Sequence, residues 1–318
     1  MMKEMISVGK RAIGAGSPCL VIAEMGTSHL GDLGRALQLI DAAARAGADC
    51  IKFQLVYAAE ILHPRSGLVE LPGGSVALYE QFKSLERGLD FYRALKDAVE
   101  AAGALFLCSP FGIRSARELR GLGVKAMKIA SPELNHFPLL KEAASYGIPL
   151  FLSSGVSTLG DIERAIAITG TRDCVLLHCI TAYPAPEEQY NLAVLASLAA
   201  VLGIEVGLSD HSLDPVLVPT LAATCGACVV EKHFTLSRSG SGLDDPIALE
   251  PEGFHRMVSE IREAEAAGPA AARVHLERRY GGARVAAVMG TGIKRLADSE
   301  RANYSRTNRS LHAVHEIS

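Results

Sequence analysis

Eight short, β-rich apolar runs recur along the chain, and nearly all stay apolar until their C-terminal end, where polar, reactive side chains appear. They are CLVIAE at 19–24, DCIKFQ at 49–54, ALFLC at 104–108, KAMKIA at 125–130, IPLFLS at 148–153, CVLLHC at 174–179, IEVGLS at 204–209 and CVVEKH at 228–233. Between them lie Ala/Leu-rich stretches of helical period, such as DLGRALQLIDAAARAG, LDFYRALKDAVEAAG, FPLLKEAASYG and TLGDIERAIAITG, each closed by the glycine that helix C-termini favour. Spacings of mostly about 20–30 residues suit βαβ units with short loops. An open doubly wound sheet usually carries a glycine-rich phosphate turn after its first strand, and AEMGTSHLG does not fit that pattern. A closed (β/α)8 TIM barrel, an α/β fold, is therefore the better reading, because barrels build their active sites at the C-terminal ends of the strands. The longer segment VYAAEILHPRSGLVELPGGSVALYEQFKSLE predicts an extended loop over one end.

The barrel is expected to span residues 1–267, with the first 16 residues, apolar on either side of Gly9-Lys10, forming an N-terminal hairpin that plugs the opposite end. From 268 to 318 the chain turns rich in Gly, Arg and Ala, too polar and too short for a second core, and predicts a C-terminal tail, an extension that packs on the barrel or a linker toward a further domain. A net charge of −3 gives no broad field to draw in nucleic acid or an anionic membrane, so neither is an expected partner and any anionic ligand must be met locally. Seven scattered cysteines do not make a disulfide framework, and no apolar leader or long apolar run is present, which points to the cytoplasm.

Two histidines, His211 in SDHS and His233 in EKHF, end the neighbouring seventh and eighth strands and are placed to share one divalent ion. Two imidazoles leave coordination positions for water and substrate oxygens, which suits Mn²⁺ or a similar ion, and Asp210 is a candidate to orient a ligand. Metal affinity is expected to weaken as pH falls through about 6.5, the ordinary histidine value. Lys52 and Lys128 end the second and fourth strands among the hydroxyls of Ser109, Ser131, Ser153, Ser154 and Ser209, a ring that fits a phosphate or carboxylate. Salt bridges of Lys128 with Glu133, or of Lys232 with Glu231, are the plainer alternative. Alternation along the strand turns Lys232 away from whichever of Glu231 and His233 point inward, a structural role. The pair Cys225 and Cys228 lies before the eighth strand, on the stability face, and reads as inert thiols rather than a redox site.

The strings IAEMGTSHLGD, GADCIKFQ, LFLCSPF, MKIASPELN, LSSGVST, HCITAYPAP, GLSDHS and EKHFTL, in this order, resemble the sialic acid synthase family over roughly residues 15 to 312. The resemblance implies a (β/α)8 barrel that condenses phosphoenolpyruvate with an N-acylated hexosamine such as N-acetylmannosamine, using Mn²⁺ or Mg²⁺ and releasing phosphate. By motif, Lys52, Ser109, Lys128, Ser131, Ser153, Thr181 and Ser209 resemble the phosphoenolpyruvate cradle, with Thr181 where the family usually has Asn or Ser. His211 and His233 resemble the metal ligands, and Glu24, Gln54, Glu133, Tyr183 and Asp244 the groups that hold the sugar and assist proton transfer.

The chain departs from the family pattern in two loops. The usual Asn-His after the first strand is Ser28-His29, and the common Asp-His-Lys-Ala-Ser-Leu reads Asp244-Asp245-Pro246-Ile247-Ala248-Leu249. The family also continues into an antifreeze-like domain that, in a homodimer, places an Arg against the partner's sugar; NRSLHAVHEIS falls where that domain would begin, with Arg306 and Arg309 nearby. Weak sugar selectivity and a less secure homodimer are the expectations that follow. A free sugar acceptor is favoured over its phosphate, since the loops carry no extra basic cluster. Another metal-dependent barrel aldolase and a catalytically weak carbohydrate-binding paralogue stay open as alternatives.

Overall fold

A computed structural model describes residues 5–14, 16–71 and 74–301. Eight parallel strands form one sheet: β1 (Leu20–Glu24), β2 (Cys50–Gln54), β3 (Leu105–Ser109), β4 (Met127–Ile129), β5 (Leu150–Ser153), β6 (Cys174–Cys179), β7 (Glu205–Asp210) and β8 (Val229–His233). Each coincides within two residues at either end with a run read from the sequence, and β4, three residues long, is the shortest. The hydrogen-bonded order is β3-β2-β1-β8-β7-β6-β5-β4. The two end strands, β3 and β4, pack side by side without a ladder among the described residues, so the sheet is a nearly closed barrel.

Helices follow every strand: α1 (Leu33–Arg45), α2 (Leu89–Ala101), α3 (Ile113–Gly121), α4 (Phe137–Ala144), α5 (Leu159–Thr169), α6 (Val194–Leu202), α7 (Leu217–Thr224) and α8 (Pro251–Ala267). Local chemistry sets their starts. Asp32 caps α1 by accepting the Arg35 amide at 2.6 Å, and Thr158 with Asp161 makes a reciprocal box at the head of α5. Their apolar stripes, such as Ala36, Leu39, Ile40 and Ala43 on α1, pack on the outer faces of the strands.

Inside the barrel a second apolar cluster joins Leu20, Ile22, Leu107, Phe151, Val175 and Leu177 to Ile6, Val8 and Ile13. Those last three belong to an antiparallel hairpin, Ile6–Val8 with Arg11–Ile13, that seals the N-terminal end as expected. The long segment after β2 is more than a loop. It holds a helical turn (Ala58–Ile61), a small hairpin (Val69–Leu71 with Gly74–Val76) and a helix (Leu78–Leu85). Its carboxylates satisfy orphan amides elsewhere, since Glu60 accepts from Arg114 at the start of α3 at 2.9 Å.

Beyond α8 the chain forms α9 (Pro269–Tyr280) and α10 (Gly282–Met289), which add Leu276, Val285 and Val288 to the main core. A strap then runs to residue 301, where Asn191 accepts the Thr291 and Gly292 amides at 2.7 and 2.8 Å. Arg306 and Arg309 lie outside the described residues. Among the described residues, no helix is long and apolar enough to cross a membrane.

Candidate active site

Register brings the polar strand ends level. Glu24 of β1 stands opposite Lys52 of β2 and His233 of β8, Gln54 opposite Ser109, and Ser209 of β7 opposite Cys179 and Glu231. Because neighbouring strands present the same pleat at this level, their side chains converge on a cavity of about 260 Å³. Glu24, Gln54, Tyr183, Asp244, Lys52, Lys128, Ser131, Ser153, Thr181, Ser209, His211 and His233 all line it. Ser109 stands just behind, its hydroxyl 3.5 Å from Lys52 Nζ. Glu133 is buried next to His136, whose Nδ1 is 3.2 Å from Glu133 Oε2, and does not line the cavity. Burial, with the nearby Glu60 charge, pushes the Glu133 carboxyl well above the usual range.

The centre of the charge arrangement is Glu231, which the sequence reading left out of its candidate set. Its Oε1 lies 3.5 Å from Lys52 Nζ and 3.6 Å from Lys128 Nζ and accepts the Ser209 hydroxyl at 3.2 Å, while its Oε2 is buried without a partner. Burial alone would raise this carboxyl, but the two ammonium groups, Lys128 and Lys52, outweigh it and hold it at about 2. Lys52 also meets Glu24 Oε2 at 2.6 Å, and Gln54 Nε2 donates to Glu24 Oε1 at 2.7 Å. Burial opposes the Lys52 charge, yet Glu231 and Glu24 hold its pKa above the ordinary lysine value. Lys128 donates to Ser153 Oγ at 2.7 Å, and burial lowers its pKa. Its carboxylate partner is thus Glu231, not the Glu133 considered from sequence.

Lys232 faces outward, as alternation required, but pairs with Asp210 at 2.6 Å rather than with Glu231. Asp210 also accepts from the Ser212 amide and hydroxyl at 2.8 and 3.0 Å. It therefore braces the loop that carries His211 and does not touch the imidazole. That ring is oriented instead by the Ile180 carbonyl, 2.7 Å from Nδ1, so Nδ1 carries the proton and Nε2 the lone pair. Burial, then the neighbouring His233, pushes His211 down to about 3. The His211 and His233 rings are 5.6 Å apart, with Tyr183 stacked on His211 at 4.3 Å. His233 Nδ1 is buried without a hydrogen-bond partner and lies 3.9 Å from Asp244 Oδ2.

Ser131 and Thr181 hydroxyls lie 3.4 Å apart over Gly155. The strap reaches the same corner: Glu300, fully buried, accepts the Thr181 amide at 2.7 Å, and Lys294 donates to the Gly155 carbonyl at 3.1 Å. Neither residue carried a motif signal in the polar tail. The two segments that depart from the family pattern touch, with Ser28 Oγ donating to Asp245 Oδ1 at 2.5 Å. No disulfide joins the described cysteines, and burial raises the pKa of Cys225. Among the described residues, no group of three or more His, Cys, Asp or Glu is arranged to hold a metal ion. The arrangement offers one cationic, hydroxyl-rich pole around Lys52 and Lys128, and one pole of imidazoles, carboxylates and a phenol.

Comparison with known proteins follows the same lines. The sequence profile of the NeuB family matches residues 39–271. The spore coat polysaccharide biosynthesis protein SpsE of Bacillus subtilis is 36% identical over 81% of this chain and 71% of its own, and its crystal structure superposes with a TM-score of 0.79. The N,N'-diacetyllegionaminic acid synthase of Campylobacter jejuni is 33% identical over 94% of this chain and 85% of its own. An N-acetylneuraminic acid synthetase structure from Leptospira borgpetersenii, in complex with citrate, gives a TM-score of 0.76 at 30% identity, covering 97% of this chain and 98% of that one.

Proposed function

The chain belongs to the NeuB family and is an enzyme, and from that premise we propose that it condenses phosphoenolpyruvate with an N-acylated hexosamine to give a nonulosonic acid and phosphate. The observation that carries this reading is the pairing of the two poles in one cavity, Lys52 and Lys128 around Glu231 beside the imidazoles of His211 and His233. Lys52 and Lys128, with the hydroxyls of Ser131, Ser153, Thr181 and Ser209 and with Ser109 behind Lys52, would take the phosphate and carboxylate of phosphoenolpyruvate. Glu24, Gln54, Tyr183 and Asp244 would hold the open-chain sugar through its hydroxyls, with Glu133 outside this contact set. Among the described lining residues the only lysines or arginines are Lys52 and Lys128, both at the other pole, which favours a free sugar over its phosphate.

His211 Nε2 and the orphaned His233 Nδ1 fit a divalent ion such as Mn²⁺ or Mg²⁺, since neutral imidazole nitrogens are its natural donors and the remaining positions are left to oxygen ligands. When bound, such an ion supplies Lewis-acid polarisation of the sugar's aldehyde oxygen. C3 of phosphoenolpyruvate then bonds to the aldehyde carbon, and Glu24 and Glu231 balance the positive charge that develops at C2. Water adds at C2, and the resulting intermediate collapses with cleavage of the C–O bond to phosphate, so no phosphoryl-transfer loop is required. Incubation with phosphoenolpyruvate, Mn²⁺ and a panel of N-acylated hexosamines, followed by phosphate release and product mass, tests the reading. Phosphate release that needs both substrates is expected. Turnover of a sugar without phosphoenolpyruvate would mark an aldolase instead, and binding without turnover a carbohydrate-binding relative.

A further inference from the structure

Asp245 is fully buried, yet the groups that hold it are neutral: the Ser28 hydroxyl donates to Oδ1 at 2.5 Å and the Gly242 amide to Oδ2 at 2.8 Å. The loop wraps this carboxylate so closely that a Cβ on Gly240 would collide with Oδ2, and one on Gly242 would stand 2.9 Å from it. A second contact runs parallel, from the Leu243 amide to Thr27 Oγ1 at 2.7 Å. On the far side, Arg35 Nε donates to the Ser28 carbonyl at 2.5 Å and ties the β1 loop to helix α1. The loop after β8 is thereby fastened to the loop after β1.

Asp244, the adjacent residue, does the opposite: it lines the cavity, with Oδ2 3.9 Å from His233 Nδ1 and 2.6 Å from where a Cβ on Gly26 would stand. The two aspartates straddle the start of one tight turn, Asp245–Ile247, so anchoring one side chain in the protein fixes the direction of the other. We propose that Ser28 and Asp245 form a clasp whose function is to hold the Asp244 carboxylate over the sugar end of the cavity. Both are positioning residues, and this inference rests on the reading of the site as one that takes an N-acylated hexosamine beside phosphoenolpyruvate. Asp244 is the residue of this loop that lines the cavity, and the described bonds of Ser28 and Asp245 go to neither Lys52 nor Lys128, so loss of the clasp should be felt by one substrate and not the other.

The test is steady-state kinetics of Ser28→Ala and Asp245→Asn with each substrate varied in turn, joined to hydrogen exchange at the Gly242 and Leu243 amides. Removing one buried hydrogen bond predicts that Ser28→Ala raises KM for the sugar about tenfold and leaves KM for phosphoenolpyruvate unchanged. Asp245→Asn keeps an acceptor for the Gly242 amide and offers a donor to the Ser28 hydroxyl, so its sugar KM should stay close to that of the parent chain. Exchange at both amides should accelerate in Ser28→Ala. Equal rises in the two KM values, or none, would overturn the inference, and so would unchanged exchange whatever the turnover. Failure of the functional reading is a separate result, since it shows as no phosphate release from the parent chain with any sugar.

Discussion

Glu231 sits between two ammonium groups, at 3.5 and 3.6 Å, and keeps one oxygen without a partner, so the cationic pole carries its own counter-charge before any ligand arrives. An entering dianion finds Lys52 and Lys128 already desolvated, and truncating one partner of such a pair typically costs about 2–5 kcal/mol. Lys52→Ala and Lys128→Ala should each weaken phosphoenolpyruvate binding by that order, read by calorimetry, and wild-type affinity in both would place the anion elsewhere. Lys232→Ala should leave binding alone and instead lower stability by about 3–5 kcal/mol in denaturant unfolding, because it strands the buried Asp210. Two other buried histidines link the fold to pH. Burial, followed by the charges of Arg87 and Arg35, lowers His29 to about 4, and burial with the Lys294 charge lowers His178 to about 3. Both are neutral in the fold while the unfolded chain protonates below about 6.5. Their contribution is therefore fully present above about 6.5 and is lost as pH falls toward about 3–4, at up to about 1.4 kcal/mol per pH unit per histidine. Denaturant titrations of His29→Gln and His178→Gln should show a shallower acid slope. At this scale the sequence was partly legible. Alternation from an inward His233 also points Glu231 inward, a signal that was available. Nothing local showed that Glu133 turns toward His136, since that depends on how the turn after β4 packs.

Among the elements, the barrel strands were legible because they are apolar cores with one polar end, a pattern fixed by burial on both faces. The segment after β2 was not, since its short helical pieces are tied by the carboxylates of Glu60 and Glu86 to amides elsewhere rather than by a long periodic stripe. The hairpin at the closed end can be tested directly. Ile13 is 1% exposed and packs into the inner cluster, so Ile13→Ala should cost about 2–5 kcal/mol in unfolding experiments. The turn after β5 makes a different demand. Gly155 has φ of +39°, and a Cβ there would collide with Ser131 Oγ and stand 2.6 Å from Thr181 Oγ1. Gly155→Ala should weaken phosphoenolpyruvate binding about 10- to 100-fold by displacing those hydroxyls, seen in titration calorimetry, and should lower the unfolding midpoint as well.

Across the whole molecule, helices α9 and α10 and the strap join the described part of the tail to the same core and rim as the barrel, the first of the two placements its composition left open. On the two helices only four buried positions, Ala272, Leu276, Val285 and Val288, do the packing, too few to register as a periodic face. Glu300→Ala should leave the fold in place and raise KM for phosphoenolpyruvate, because Thr181 loses the acceptor that fixes its backbone; an unchanged KM would show that the strap holds nothing the reaction uses. The unladdered contact between β3 and β4 works at the same scale. A hoop joined by seven ladders and one butt joint has a single place where its circumference is set by the thickness of what is wedged there. Lys128 stands on one lip of that joint and Ser109, beside Lys52, on the other, with Leu107 and Ala126, each two residues earlier, in the apolar cluster below. The gauge of the jaws that would close on an anion is thus tied to aliphatic bulk one layer beneath them, and a methylene added or removed there is expected to reset it.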